Sequence, residues 1–330
     1  MTAVTPSQSM RISLVVLVGL LAGPACGSNG SGDPGGAPDS GVAPPARGFQ
    51  VASPEVTIMP GQEITYCYYF PTPNTEPMVI KKWSSVMTPG SHHMIMYATT
   101  GDDMPPGTIT TDACGGFGTK NIPSWTYAAQ TPTNEIALPT DDGNGMPLGQ
   151  EIAAGTPAYF QMHYLNASDA PVKAHVTLNA EAYDVGVPYT RTAAYVTYNS
   201  NISIQPHEVG HVESQTCNVV PNTRFWLLST HAHKQAVKTD IKDGMPASTT
   251  VAFTSTDWEH PGEMMFTAAP YYTFSTGKLT YECTYDNTGD NAGKTVVAGP
   301  SAVTNEMCMA TGYYFPATKP MLCLNNLGPF

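Results

Sequence analysis

Ala193-Ala-Tyr-Val-Thr-Tyr198 and Thr249-Thr-Val-Ala-Phe253 are short runs dominated by β-branched and aromatic residues. Residues of that kind fit a pleated, half-buried surface better than a helix. Around such runs the chain is punctuated by 30 Gly and 30 Pro, and only 12% of its residues are charged. Frequent breaks between short β-like segments predict an all-β protein, built as sandwiches rather than helices. At 330 residues, with a leader set aside, the length predicts two domains.

The charge balance narrows the partners. Lys and Arg number 14 against 26 Asp and Glu, a net charge of -12. Nucleic acid needs a basic face to neutralise phosphates, so it is excluded as a partner. No polybasic patch for anionic lipid is present either. The N-terminus reads as an export signal: Arg11 precedes the apolar run Ile12 to Ala22, too short to span a membrane comfortably. Gly23-Pro-Ala-Cys26 follows, and a small residue before Cys is what lipoprotein processing requires. Cys26 is then the expected lipid anchor. Residues 27–48, rich in Gly, Ser, Pro and Ala, read as a flexible linker. The expected localisation is exported, either membrane-anchored through Cys26 alone or secreted.

Beyond Cys26 there are six cysteines, at 67, 114, 217, 283, 308 and 323. An even number in an exported chain predicts three disulfides, and counting alone allows about 15 pairings. With two domains, Cys67–Cys114 is the economical bridge in the first.

Histidines supply the chemistry. Three segments set them in β-like apolar runs: His92-His93-Met-Ile-Met-Tyr97, Tyr159-Phe-Gln-Met-His163-Tyr164 and Trp226-Leu-Leu-Ser-Thr-His231-Ala-His233. His231 and His233 are two apart, so on a strand they share one face and can hold one ion. His92 and His93 are adjacent and would point to opposite faces, unless a bulge or strand end turns one of them. Pro89-Gly90 supplies such a break. A fourth segment, Asn305-Glu-Met307-Cys308, offers a thioether. Imidazole alone suits several metals, whereas a soft thioether selects copper. His207-Glu-Val-Gly-His211 fits the H-E-x-x-H pattern of zinc proteases, which requires a helix. Pro206, Gly210 and strand-like flanks predict a loop running into a strand instead.

The ordered set of His-His, x-His-Tyr, His-x-His and Glu-Met-Cys resembles the copper type II ascorbate-dependent monooxygenases, which include the peptide-amidating and dopamine-hydroxylating enzymes. Further stretches carry the resemblance: Tyr66-Cys-Tyr-Tyr-Phe-Pro71, Trp125-Thr-Tyr-Ala-Ala129 with Pro139 and Asp141–Gly149, Gln161-Met-His-Tyr-Leu-Asn166, Cys283-Thr-Tyr-Asp-Asn287 and Glu306 to Pro316. It spans about residues 50 to 326.

The resemblance implies two tandem antiparallel, jelly-roll-like β-sandwich domains, at residues 49–186 and 187–330, after a leader at 1–26. Their two copper ions would face each other across a solvated interdomain cleft. His92, His93 and His163 would hold the electron-storing copper. His231, His233 and Met307 would hold the copper that meets dioxygen. The implied bridges are Cys67–Cys114, Cys217–Cys323 and Cys283–Cys308. The implied reaction is hydroxylation of an activated C–H bond of a small organic substrate, with dioxygen and ascorbate or a similar one-electron reductant. Gln161 matches a polar position beside the third histidine, with a catalytic or substrate-side role. A monomer is expected. The competing reading is a non-catalytic copper-binding surface lipoprotein on the same fold. The chain also departs from the peptide-amidating pattern. Ser229 stands where an Arg would hold a substrate carboxylate, and Met309 and Thr311 stand where Asn and Tyr would be, so peptidylglycine is not the expected substrate.

Overall fold

A computed structural model describes residues 42–112, 114 and 123–329, and every regular element among them is a β-strand. The leader, Cys26 and the linker as far as residue 41 lie outside the described residues. Two larger sheets are built from strands that precede residue 192. In the first, Gly48–Ala52, Val176–Ala182, Met78–Met87, Leu148–Ile152 and Thr190–Arg191 lie side by side, with Thr133–Ala137 also paired to Met78–Met87. In the second the order is Ile109–Thr110, Glu63–Pro71, Pro157–Leu165, Ser91–Ala98 and Ser124–Ala129. Two more follow residue 192. One runs Glu263–Met265, Arg224–Ala232, Cys308–Phe315, Ala193–Tyr198 and Met321–Leu324; the other runs Val209–Asn218, Lys278–Asp286, Ala236–Asp243 and Val251–Ser255. Nearly all pairings are antiparallel, as expected for sandwiches; two short ones are parallel.

Packing follows from the period of two. Met94, Met96, Phe160 and Met162 point into the main core with Trp83 and Tyr127, whose rings stack at 5.7 Å. Each such side chain contributes about 1.5–3 kcal/mol by leaving water. The intervening residues His93, Ile95, Tyr97, Tyr159, Gln161 and His163 take the opposite face. They are buried as well, so the strands Ser91–Ala98 and Pro157–Leu165 read as nearly continuous buried runs. The main core also takes in Trp226, Met309, Tyr313 and Phe315 from beyond residue 192. Polar links join the same parts: Tyr313 Oη donates to the Thr126 carbonyl at 3.1 Å, and Arg224 Nη1 to the Asp142 carbonyl at 2.7 Å.

Three disulfides form, Cys67–Cys114, Cys217–Cys323 and Cys283–Cys308. They are characteristic of an oxidising, extracytoplasmic compartment. The zinc-protease pattern is indeed a loop entering a strand. His207 sits in a turn with φ 59°, Gly210 has φ 70°, and the ladder of Val209–Asn218 is bulged between Val209 and His211. His211 is held instead by two carboxylates, Glu208 at 2.8 Å and Glu213 at 3.0 Å.

Candidate metal centre

The His-His pair owes its geometry to one irregularity. Along the ladder of Pro157–Leu165 with Ser91–Ala98, His163 pairs with His93, but Tyr164 pairs with Ser91. His92 is therefore the extra residue of a β-bulge. A bulge turns adjacent side chains to the same side, which an even pleat cannot do. Gly90, at φ 96°, makes the turn into this strand and accepts a bond from Leu165 N at 3.1 Å. As a result, one ring nitrogen from each of His92, His93 and His163 comes within 4.8 Å of the others.

His231 lies in the strand Arg224–Ala232 and His233 follows its end, so their shared face comes from the strand period. Met307 directly precedes the neighbouring strand Cys308–Phe315, whose Cys308 pairs with Ala232. Three restraints hold this corner. Cys308 is bridged to Cys283. Tyr285 Oη donates to the Met307 carbonyl at 2.9 Å. The fully buried carboxylate of Glu306 accepts backbone N–H bonds from His233 at 3.0 Å, Met307 at 3.2 Å and Gln235 at 2.6 Å. Burial pushes the Glu306 carboxyl up to about 8 despite these bonds.

The two histidine sets form one continuous cluster. Ligand atoms of His92, His231 and His233 also lie within 4.8 Å of one another. Ring centroids are 5.3 Å apart for His92–His231 and 5.1 Å for His93–His231. This corrects the expectation of sites separated by solvent. The bulge pushes His92 out toward the His231–His233 pair, so imidazoles from both sets touch.

Protonation can be read from the hydrogen bonds. His163 Nε2 faces Glu63 at 2.8 Å; the ionised carboxylate only accepts, so Nε2 donates, and Nδ1 has no hydrogen-bond partner. His233 Nδ1 faces the Asn305 carbonyl at 3.3 Å, which leaves Nε2 bare. Gln130 Nε2 donates to the Thr230 carbonyl at 3.2 Å, so its Oε1 accepts from His231 Nδ1 at 2.6 Å and leaves that Nε2 bare. In all, His92 Nε2, His93 Nδ1, His163 Nδ1, His231 Nε2 and His233 Nε2 are buried with no hydrogen-bond partner. An unpaired buried polar atom costs about 1–3 kcal/mol. Burial, reinforced by neighbouring imidazoles, pulls His92 and His233 down to about 3 and His93 and His231 well below their ordinary range. Neutral imidazoles with bare, converging nitrogens are the form a metal ion binds. Glu63 is held down at about 2: burial opposes its ionisation, but bonds from His163, Ser301 and Ala302 outweigh that.

A cavity of about 300 Å³ opens on this cluster, lined by His93, His163, His231 and Met307. Met307 thus lines the same cavity as these three histidines. The rest of the wall is largely aromatic and aliphatic, with Tyr97, Trp125, Ile136, Leu227 and Tyr313. Ser229, Met309 and Thr311, the three departures from the peptide-amidating pattern, all line it. Ser229 Oγ is engaged with the Gly262 carbonyl at 2.6 Å. Among the described residues no Lys or Arg lines it, and Glu263 brings a carboxylate. Gln161 also lines the cavity, buried, with Nε2 donating to the Cys114 carbonyl at 2.7 Å.

Residues 192–329 match the family model described as copper type II ascorbate-dependent monooxygenase, C-terminal domain. Over this part, the chain is similar to the copper type II ascorbate-dependent monooxygenases. The matched stretch contains His231, His233, Glu306 and Met307. No curated protein matches the chain. Among solved structures, a chain from the Sulfolobus Turreted Icosahedral Virus is 9% identical; the match covers 82% of this chain but only 60% of that one, with a TM-score of 0.18.

Sequence reasoning passed over three residues of this centre. Glu306 stands inside the Glu-Met-Cys triplet, where an acid in a β-like run beside a metal ligand is itself a signal. Glu63 and Gln130 give no such signal, because their partners lie 100 and 101 residues away.

Proposed function

We propose that this protein is a copper monooxygenase that hydroxylates an activated C–H bond of a small organic substrate, using dioxygen and ascorbate or a similar one-electron reductant. His92, His93 and His163 hold one copper ion, and His231, His233 and Met307 hold the other. The observation that carries this reading is the cluster of five buried imidazoles, each with an unpartnered nitrogen, three of which (His93, His163 and His231) line one cavity with a thioether. An all-imidazole set suits a copper that alternates between oxidation states, and a thioether favours Cu(I), the state that meets dioxygen. Bound there, copper supplies one-electron transfer and dioxygen activation.

The chain's own residues do the rest. The aromatic and aliphatic wall takes an apolar substrate body and excludes water from the reacting C–H bond. With Ser229 engaged by backbone, no Lys or Arg among the described lining residues and Glu263 present, a substrate carboxylate lacks the bidentate cation that a peptidylglycine site uses, which argues against peptidylglycine. Gln161 is assigned a substrate-side role, with its amide oriented by Cys114. The two copper domains are assigned to residues 49–186 and 187–330, and the chain is assigned as a monomer. Cys26 is assigned as a lipid anchor holding the exported protein at a membrane.

The test is oxygen consumption by the copper-loaded protein with ascorbate, across a panel of small aromatic and aliphatic substrates. Substrate-stimulated uptake with one hydroxylated product per dioxygen is expected. Two coppers bound with no turnover on any substrate would support the non-catalytic copper-binding reading instead.

A further inference from the structure

We propose that Gln130 and Glu63 are positioning residues of a crossed clasp, in which each ligand set is oriented through the part of the chain that carries the other. The proposal rests on the ligand assignment above. Gln130 follows the strand Ser124–Ala129, in the part of the chain that bears His92, His93 and His163. Yet its amide engages the other set. Nε2 donates to the Thr230 carbonyl at 3.2 Å and Oε1 accepts from His231 Nδ1 at 2.6 Å. These two bonds fix the amide's orientation, the His231 tautomer and the plane of its ring. The bare Nε2 is thereby aimed at the centre.

Glu63 completes the crossing in the other direction. Its Oε1 accepts from His163 Nε2 at 2.8 Å and from Ala302 N at 2.8 Å, while Oε2 accepts from Ser301 Oγ at 2.8 Å. Ser301 and Ala302 belong to the loop that leads to Met307. The same loop reaches the second set, since Asn305 N donates to the Ser301 carbonyl at 3.0 Å and the Asn305 carbonyl faces His233 Nδ1 at 3.3 Å. A hydrogen-bonded path therefore runs from His163 through Glu63, Ser301 and Asn305 to His233. A partner that fixes a ligand's tautomer and plane, and raises its basicity, governs metal affinity almost as directly as the ligand does. Here that partner, or its own anchor, lies across the junction in both directions.

The experiment titrates copper into the full chain, measures retained copper after dialysis, and uses X-ray absorption to ask whether the retained copper has a sulfur neighbour. Sulfur marks the set containing Met307. His231→Ala and His163→Ala are the controls for the ligand assignment, each expected to retain one copper. Gln130→Leu, of similar bulk but without an acceptor or a sulfur, should weaken the sulfur-bearing site about 10–100-fold and spare the other. Gln130→Glu, which keeps an acceptor oxygen, should restore it. Glu63→Gln should weaken the all-nitrogen site about 10–100-fold. Ser301→Ala, remote in sequence from that site, should weaken the same copper about threefold or more. Should Gln130→Leu fail to fold, Gln130→Ser removes the same contact and is read the same way. If the controls each lose one copper while Gln130→Leu and Ser301→Ala release neither copper, both equally, or the one on their own part of the chain, the clasp is overturned. If a control retains both coppers, the ligand assignment itself fails.

Discussion

Glu306 Oε2 accepts a hydrogen bond from the backbone N–H of His233 at 3.0 Å, with the rest of its carboxylate satisfied by Met307 and Gln235. One side chain thus ties the turn after the His-x-His strand to the residue that offers the thioether. Above about pH 8, where this carboxyl is ionised, Glu306→Gln swaps one acceptor oxygen for a donor, which must then face a backbone N–H. The variant should lose about 1–3 kcal/mol of stability and retain less copper, with the sulfur-bearing site affected first. Urea unfolding and copper content after dialysis measure the two effects. Unchanged values for both would show that Glu306 does not organise this corner.

The bulge at His92 depends on the turn into its strand. Gly90 adopts φ 96°, and a Cβ there would sit 3.3 Å from the Leu165 carbonyl oxygen. Gly90→Ala should cost about 1–2 kcal/mol, the penalty for a side chain in left-handed backbone. It should also shift His92 and His93 out of register with His163. The expected result is a lower unfolding midpoint and weaker binding at the all-nitrogen site.

Met307 can be tested with little disturbance of packing. Met307→Leu keeps the volume and should cost less than about 1.5 kcal/mol. The fold and all five imidazoles remain, so the protein should still take up copper, more weakly at one site. The sulfur signal in X-ray absorption should vanish and ascorbate-driven oxygen uptake should collapse. Persistence of a sulfur neighbour would assign the thioether to another of the 16 Met residues.

His211 predicts a pH effect away from the centre. Burial lowers its proton affinity, but the Glu213 and Glu208 carboxylates outweigh that, so its pKa is raised in the folded chain. A raised folded value stabilises fully below the unfolded value of about 6.5 and is lost as pH rises through the folded value. His211→Gln should therefore cost stability near pH 6 and progressively less toward about pH 9. Denaturant midpoints of both proteins across that range give the comparison, and a constant difference would argue against a charged His211.

The all-β class was legible because strand-forming runs and Pro or Gly breaks act locally, within a few residues. The pair His231 and His233 was legible for the same reason, since the strand period alone puts i and i+2 on one face. His92 and His93 sit at the limit of this logic. Pro89-Gly90 signalled an irregularity, but only the partner strand, with Tyr164 opposite Ser91, makes His92 the bulged residue. The contact between the two histidine sets, the buried Glu306 beneath the turn, and the reach of Gln130 and Glu63 across the chain were decided by tertiary structure. Those groups meet over separations of 71 to 239 residues. Hydrogen bonds at such separations leave no local period or spacing in the sequence, so only the packed sheets bring the partners within reach.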